Sequence, residues 1–325
     1  MKVRELHLLV VANVVFALAL ALVSVACFDD QRFLGTIPLA AGSGGGGAGG
    51  EIQPPLVGPF GTPRLIAELS GSETDQYDAA LSADRLQILY RSEPRRSAGS
   101  GRSEILMATR SSAEEGWATP RLIEEIDAQD AWNLSPDLSL DGLTLWLSSD
   151  RATTLGGLDL WFATRQDPAS PWSTPQNVSA LNTADWDTDC GVDASQLSMI
   201  FSRREGEGAD LFSTRRETRS EPWSTAEPLT ELNSAYNDWD AAFANDGLTL
   251  MFASDRSERP GLSGALHIYE ATRASKDVPF SAPVLLEELA AAGAVDEDPW
   301  LSNDGRHVVW SSTREGRRQL YEAFR

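Results

Sequence analysis

Pairs of aspartates spaced two residues apart recur in the second half of the chain and are its clearest candidates for chemistry. The three complete pairs are Asp187/Asp189, Asp238/Asp240 and Asp296/Asp298. Side chains i and i+2 of a β-strand lie on the same face, so we expect both carboxylates of a pair to face the same way. Clustered carboxylates can bind a cation, orient a sugar, or act as a general acid and base.

Related residues occupy the same register in two earlier segments, which carry Gln76/Asp78 and Asn133/Ser135. The aromatic residues beside the five segments are Tyr77, Trp132, Trp186, Trp239 and Trp300. Acids and flat aromatic rings around a concave opening suit a sugar, a cation or a basic peptide. The sequence therefore predicts a ligand site formed by Asp78, Asp187, Asp189, Asp238, Asp240, Asp296, Asp298, Trp186 and Trp239.

A structural role for these acids is the alternative interpretation. Arginines that belong to loops on the same face are Arg151, Arg203, Arg204, Arg256 and Arg314. Asp–Arg pairs between these loops would stabilise every copy of a repeated unit, whereas a binding site would leave the acids facing the opening.

The acids recur because the chain contains five copies of one unit, each roughly 50 to 60 residues long. An aromatic residue followed three positions later by proline marks four copies, as in Trp117–Pro120. A Leu-Ser-x-Asp-Gly turn such as Leu138–Gly142 precedes alternating apolar residues; it reads Asn245-Asp246-Gly247 in the fourth copy and degenerates to Ser195-Gln196 in the third. Each unit is typical of four short strands. Five such units predict an all-β, five-bladed β-propeller, because a β-sandwich does not explain five copies in phase.

The two ends of the repeat region predict how the ring closes. The fifth unit stops at Arg325 after its third strand, and the segment Phe60–Leu69 matches the missing fourth strand. The corresponding fourth strand of the third unit is expected between Trp223 and Leu232. We therefore expect residues 60–69 to pair with the last blade and remove an exposed sheet edge.

The N-terminal residues predict export and a tether rather than part of the fold. Residues 1–26 carry Lys2 and Arg4 ahead of a long apolar run, which is typical of a signal peptide or a membrane anchor. Small residues before Cys27 favour lipidation of that cysteine, with an uncleaved anchor or plain secretion as alternatives. Residues 27–57 are glycine-rich and predict a flexible tether of roughly 30 Å. The propeller is assigned to 58–325, outside the cytoplasm and near a membrane.

Charge and cysteine content restrict the partners further. The net charge of −21 makes nucleic acid an unexpected partner, because phosphate binding requires a basic surface. The second cysteine, Cys190, aligns with small and apolar residues in the other units, which predicts a buried, unreactive thiol.

The repeat resembles the TolB-type, WD40-like propeller repeat of bacterial envelope proteins. The resemblance rests on the aspartate before the first strand, the Ser-x-Asp-Gly turn, the Ser-Asp-Arg that ends the second strand, as in Ser149–Arg151, and the apolar third strand, as in Gly157–Trp161. It covers residues 60–325 and implies a propeller fold. A Tol-system role does not follow, because residues 28–57 are too short and too glycine-rich for the separate N-terminal domain of TolB.

These observations favour an exported, lipid-tethered, monomeric propeller that binds a protein, peptide or glycan of the cell envelope. The sequence shows no Gly-x-Ser-x-Gly motif, no phosphate-binding loop and no Cys/His metal cluster, so no catalytic residue, metal or cofactor is predicted. The alternative function is a glycoside hydrolase or lyase of the five-bladed type, with Asp187, Asp240 and Asp298 as candidate axial carboxylates.

Overall fold

The computed structural model describes residues 58–94, 103–128, 131–206, 208–244, 247–257 and 259–325. The predicted signal segment (1–26), the lipidation site Cys27 and the tether (27–57) lie outside these ranges. No helix among the described residues is long and apolar enough to cross a membrane.

The chain forms five four-stranded antiparallel sheets, as the repeat predicts. It opens with β1 (Arg64–Leu65), which is followed by a 3-10 turn at Ala67–Leu69. The first blade contains β2 (Thr74–Leu81), β3 (Gln87–Pro94), β4 (Glu104–Thr109) and β5 (Arg121–Leu122). The second contains β6 (Asn133–Leu138), β7 (Thr144–Ser149), β8 (Asp159–Thr164) and β9 (Gln176–Asn177). The third contains β10 (Trp186–Val192), β11 (Ser198–Glu205), β12 (Gly208–Arg215) and β13 (Glu227–Pro228).

The fourth blade contains β14 (Asp238–Phe243), β15 (Thr249–Ser254), β16 (His267–Thr272) and β17 (Val284–Leu285). The fifth contains β18 (Asp296–Leu301), β19 (His307–Ser312) and β20 (Gln319–Phe324), and β1 completes it by pairing with β20. This confirms closure of the last blade by the N-terminal segment. The outermost strands are shorter than predicted, since each of the five has only two residues.

Each gap between neighbouring blades is filled by one cluster of buried apolar side chains. Between the fifth and first blades, Val309 and Leu320 pack with Ile88 and Tyr90, so the core closes around the ring without a break. Fully burying a large apolar side chain contributes about 1.5–3 kcal/mol, and this periodic burial is what holds the blades together.

The turn between the first and second strands ends in the same backbone conformation in all five blades. Its last residue has a positive φ in each blade: Arg85 (60°), Gly142 (68°), Gln196 (58°), Gly247 (68°) and Gly305 (68°). In the second blade the Ser139 hydroxyl donates to Asp141 at 2.7 Å. In the third blade Ser195 donates to Asp193 at 2.7 Å, so serine and aspartate have exchanged places. The copy that looks degenerate in the sequence therefore keeps the same turn.

The innermost strand of every blade contains a β-bulge. In the first blade Tyr77 pairs with Arg91 and Ala80 pairs with Leu89, so two residues oppose one. The same shift occurs in the other four first strands. A bulge bends the strand and changes the direction of a side chain. The assumption that both members of an acidic pair share one strand face is therefore wrong.

Candidate functional site

The first member of each acidic pair, which we call the outer acid, is engaged by an arginine of its own blade. Asp187 accepts from Arg203 Nε at 2.6 Å, and Asp296 accepts from Arg314 Nη2 at 2.9 Å. Asp238 is bonded to Arg256 in the same way. These three aspartates are completely buried. Their position therefore supports the structural interpretation for this half of the predicted site.

Asp296 shows how fully an outer acid is satisfied. It accepts from the Ala291 amide at 3.0 Å, from Trp310 Nε1 at 3.2 Å and from Arg314, and it lies 3.2 Å from His267 Nδ1. Burial alone would raise its pKa, but the hydrogen bonds from His267, Ser312, the Ala291 amide and Arg314 hold the pKa of this carboxyl below its usual value. Such a group stabilises the fold as an anion.

The second member of each pair lies at the bulge with a left-handed backbone. The five residues are Asp78 (φ 49°), Ser135 (50°), Asp189 (53°), Asp240 (56°) and Asp298 (55°). Aspartate is among the few non-glycine residues that tolerate this conformation. These five residues all line the cavity on the propeller axis, and we call them the axial ring.

Backbone hydrogen bonds link the axial ring from blade to blade. The Asp298 amide donates to Asp240 at 3.3 Å, the Asp78 amide donates to Asp298 at 3.3 Å, and the Ser135 amide donates to Asp78 at 3.2 Å. The link from the second blade to the third is different, because the axial residue of the second blade is serine: the Ser135 hydroxyl donates to Asp189. The amides of Asp189 and Asp240 donate instead to the hydroxyls of Ser148 (3.1 Å) and Ser202 (3.2 Å).

The carboxyls of the axial ring disfavour one another's ionisation. Desolvation, followed by repulsion from Asp78, raises the pKa of Asp189 to about 6. Desolvation and the neighbouring carboxylates hold the pKa values of Asp240 and Asp298 well above their usual range. Among the described residues no cation lies within salt-bridge distance of Asp189, Asp240 or Asp298, so the ionised form of each carboxyl has no counter-ion in direct contact.

Arg91 adjoins the ring at Asp78. Arg91 Nη1 lies 3.7 Å from Asp78, and Arg91 Nη2 donates to Glu93 at 2.7 Å. Its guanidinium also stacks on Tyr77, 4.2 Å from the ring centroid. The residues aligned with Arg91 in the other second strands are Ser148, Ser202, Ala253 and Ser311. Sequence reasoning missed this arginine. The signal that would have identified it is that the other four blades have a small residue at this position.

The aromatic residues predicted beside the acids occupy different positions. Trp186 is 43% exposed and lies under the Arg204 guanidinium, which is 5.0 Å from its ring centroid. Trp239 is partly buried in β14, opposite Ala253. Trp300 does not belong to this set, because it follows the bulge, packs against the core and lines the axial cavity. Trp186 and Trp239 therefore lie along the strands that carry the axial ring.

The axial cavity has a volume of about 50 Å³. Pockets for whole small molecules usually measure about 300–1,000 Å³. The space beside the axial ring thus accommodates one compact group. No group of three or more His, Cys, Asp or Glu side chains in the described ranges has a metal-binding arrangement.

The remaining titratable candidates lie in the core. Cys190 is buried beside the axial ring, and desolvation raises the pKa of its thiol, in line with the prediction of an unreactive residue. His307 is also buried: its ring stacks on Phe324 with 4.2 Å between the ring centroids, and its Nε2 pairs with Glu322 at 2.9 Å.

A second fivefold feature was also missed from the sequence. An arginine after each third strand stacks on the aromatic residue that marks the repeat, with 4.2–4.3 Å between guanidinium carbon and ring centroid. The pairs are Arg110–Trp117, Arg165–Trp172, Arg216–Trp223, Arg273–Phe280 and Arg325–Phe60. Each Nε also donates to a carbonyl of the turn after the first strand. The recurrent arginine at this spacing would have revealed the contact.

Comparison with family models and with curated protein sequences finds no match. Similar solved structures include TolB from Acinetobacter baumannii, which is 14% identical with a TM-score of 0.47; the match covers 78% of this chain and 55% of TolB. The α-L-arabinofuranosidase of Podospora anserina, solved with cellotriose, is 11% identical with a TM-score of 0.52, over 82% of this chain and 94% of that one. The catalytic domain of the Coprinopsis cinerea GH62 α-L-arabinofuranosidase is 12% identical with a TM-score of 0.52, over 82% and 95%.

The predicted five-bladed propeller is confirmed by the five four-stranded sheets. The chain spans about half the length of that TolB. At these identities the likenesses establish the fold alone, and the low TM-score of TolB carries no argument about function.

Proposed function

We propose that this chain is an exported, lipid-tethered binding propeller of the cell envelope, which holds a cationic group of a protein or peptide partner at its axial ring. The observation that carries the proposal is the division of each acidic pair. The outer acids are paired with arginines, whereas no cation of the described residues lies within salt-bridge distance of Asp189, Asp240 or Asp298. Charge that a fold leaves unpaired around a cavity is typical of a site that a ligand completes.

The cavity volume favours a cationic side chain over a whole sugar. An ammonium or guanidinium group fits a space of about 50 Å³, whereas a saccharide needs a pocket several times larger. Arg91 already supplies one cation beside Asp78, which shows that the ring tolerates a guanidinium at its edge. The net charge of −21 would also draw a basic partner toward the propeller.

Isothermal titration with pentalysine, and with its fully acetylated form, tests this proposal. Wild-type protein should bind pentalysine and should not bind the acetylated peptide. The double variant Asp240→Asn/Asp298→Asn should weaken binding at least about tenfold, because it removes two carboxylates from the contact. The control Glu231→Gln/Asp277→Asn changes the net charge equally at exposed positions and should bind as wild type. Equal weakening in both double variants would reduce the effect to general charge attraction and contradict the proposal.

The tether is a separate part of the proposal and rests on the sequence before Cys27. Wild-type protein should partition into detergent and incorporate a fatty-acid probe, and Cys27→Ser should abolish both. Persistent membrane association of that variant would instead favour an uncleaved anchor within residues 8–26.

A glycoside hydrolase is the second candidate, and one observation favours it. Asp189 has a pKa raised to about 6, which is the range suited to a general acid. Hydrolysis of arabinoxylan or other plant and bacterial polysaccharides that Asp189→Asn and Asp240→Asn abolish would establish this function. Unchanged hydrolysis in those variants would assign the activity to a contaminant.

A further inference from the structure

A groove between the second and third blades lies where the side chains depart from the fivefold symmetry of the propeller. It measures about 550 Å³, within the range of small-molecule pockets. Trp146, Phe162 and Trp223 form its apolar wall, and Arg216 and Arg219 lie at its polar side. We call it the Trp146 groove. It lies apart from the axial ring, with which it shares no lining residue.

Two of these aromatic residues have no aromatic counterpart at the aligned positions of the other four blades. The residues aligned with Trp146 in the other second strands are Leu89, Ile200, Met251 and Val309. Those aligned with Phe162 in the other third strands are Met107, Ser213, Glu270 and Glu322. The ring centroids of Trp146 and Phe162 lie 5.3 Å apart, and those of Trp146 and Trp223 lie 6.0 Å apart. A feature present in one blade only does not serve the repeat, so it requires a local explanation.

Arg216 lacks the counter-ion that an equivalent arginine has. In the gap between the fourth and fifth blades, Arg325 Nη2 donates to Glu270 at 2.8 Å. Phe162 occupies the place of that glutamate beside Arg216. Among the described residues no carboxylate lies within salt-bridge distance of Arg216, whose Nε is engaged by the Gln196 carbonyl. Desolvation and the nearby charge of Arg219 lower the pKa of Arg216. The groove therefore disfavours the charged form of the Arg216 guanidinium.

The indole of Trp146, in the wall of the groove, carries a second group that lacks its usual partner. Trp146 is 2% exposed, and its Nε1–H has no hydrogen-bond partner. Two other buried indoles are satisfied: Trp161 Nε1 donates to the Ser149 carbonyl and Trp310 Nε1 to Asp296, both at 3.2 Å. A buried donor without a partner costs about 1–3 kcal/mol.

From these contacts we propose that the Trp146 groove binds a small organic carboxylate with a flat apolar body. The carboxylate would pair with Arg216 in the place that Glu270 takes in the fourth blade, and the apolar body would pack among Phe162, Trp146 and Trp223. Arg219 is already bound to Asp141 at 3.0 Å, so Arg216 is the principal charge partner. Charge-assisted hydrogen bonds are the strong ones, and an apolar wall adds area burial.

Isothermal titration of the wild-type protein with 3-phenylpropionate and with the neutral 3-phenylpropionamide tests the proposal. The carboxylate should bind saturably, and the amide at least about tenfold more weakly. Phe162→Glu should abolish binding, because it provides Arg216 with the internal partner found in the fourth blade. Ser213→Glu places the same charge one groove away and should leave binding unchanged.

A second variant keeps the test informative if Phe162→Glu folds poorly. Trp146→Leu restores the aliphatic residue of the other blades and should weaken binding of the carboxylate at least about tenfold by removing an aromatic wall of the groove. Any one of three results would overturn the proposal. The wild-type protein could show no saturable binding at millimolar carboxylate, it could bind the acid and the amide equally, or both groove variants could bind as well as wild type.

Discussion

Asp296 and Asp298 lie two residues apart in one strand, yet they meet opposite environments. Asp296 accepts a hydrogen bond from Arg314 at 2.9 Å, whereas Asp298 faces the axis with its carboxyl near those of Asp78 and Asp240. The bulge between Glu297 and Trp300 separates them, because it turns the second carboxyl away from the strand face of the first. The same bulge occurs in all five blades, and it converts five linear pairs into an outer structural set and an inner ring.

The ionisation of the axial ring predicts a pH-dependent stability. Carboxyls whose pKa values are raised on folding bind protons more tightly in the folded state, so their ring loses stability as pH rises from the unfolded values near 4 through Asp189's value of about 6. Asp240→Asn/Asp298→Asn removes two of the titrating groups. Relative to wild type, this variant should have a similar free energy of unfolding at pH 4 and gain at least about 1 kcal/mol by pH 7.5.

Urea unfolding of both proteins across this range measures the effect. Because groups distant from the ring titrate alike in the two proteins, the difference between the curves reports on the ring and its immediate neighbours. A difference that does not change with pH would contradict the assigned charge state of the ring.

The segment that closes the fifth blade should contribute more to stability than its two-residue strand suggests. Phe60 is buried, its amide donates to Glu288 at 2.9 Å, and its ring lies 4.3 Å from the Arg325 guanidinium. Phe60→Ala should lower the free energy of unfolding by about 3–5 kcal/mol, measured by urea denaturation. Arg64→Ala, which removes the exposed ion pair between Arg64 of the same segment and Glu322, should cost less than about 1 kcal/mol. Equal effects of the two substitutions would argue against closure at this point.

The turn after each first strand offers a stabilising substitution. Arg85 has a φ of 60° where Gly142, Gly247 and Gly305 occupy the same position. Left-handed backbone strains a residue that has a Cβ, so Arg85→Gly should raise the free energy of unfolding by about 0.5–1 kcal/mol. The reverse change, Gly305→Ala, should lower it by a similar amount. Thermal melts of both variants measure the effect. If the two melting temperatures shift in the same direction, the positive φ at this position does not determine the stability of the turn.

The sequence predicts the propeller well because its signals are local and repeated. The alternating apolar residues, the Ser-x-Asp-Gly turn and the position of Phe60 each act through contacts that recur in every blade, so the number of blades and the closing strand follow from their spacing. The third-blade turn was harder to recognise because Asp193 and Ser195 exchange places while keeping their hydrogen bond.

The site was predicted less completely, for a physical reason. Strand periodicity places Asp238 and Asp240 on one face, and only the bulge, which no residue type announces, sends Asp240 to the axis. Arg91 and the Trp146 groove escaped notice because both depend on one blade differing from the other four. Contacts between different blades, such as that of Ser135 with Asp189, also follow from the ring geometry rather than from spacing along the chain.

Equilibrium unfolding of Asp296→Asn and Asp298→Asn at pH 7.5 tests the central claim most directly, namely that one acid of each pair is structural and the other belongs to the binding ring. The substitutions are two residues apart, equal in size and equal in charge change. Asp296→Asn leaves Arg314 without its carboxylate and should lower the free energy of unfolding by about 3 kcal/mol. Asp298→Asn keeps an acceptor for the Asp78 amide and relieves repulsion, so its stability should equal or exceed that of wild type. A loss in Asp298→Asn as large as that in Asp296→Asn would contradict the account.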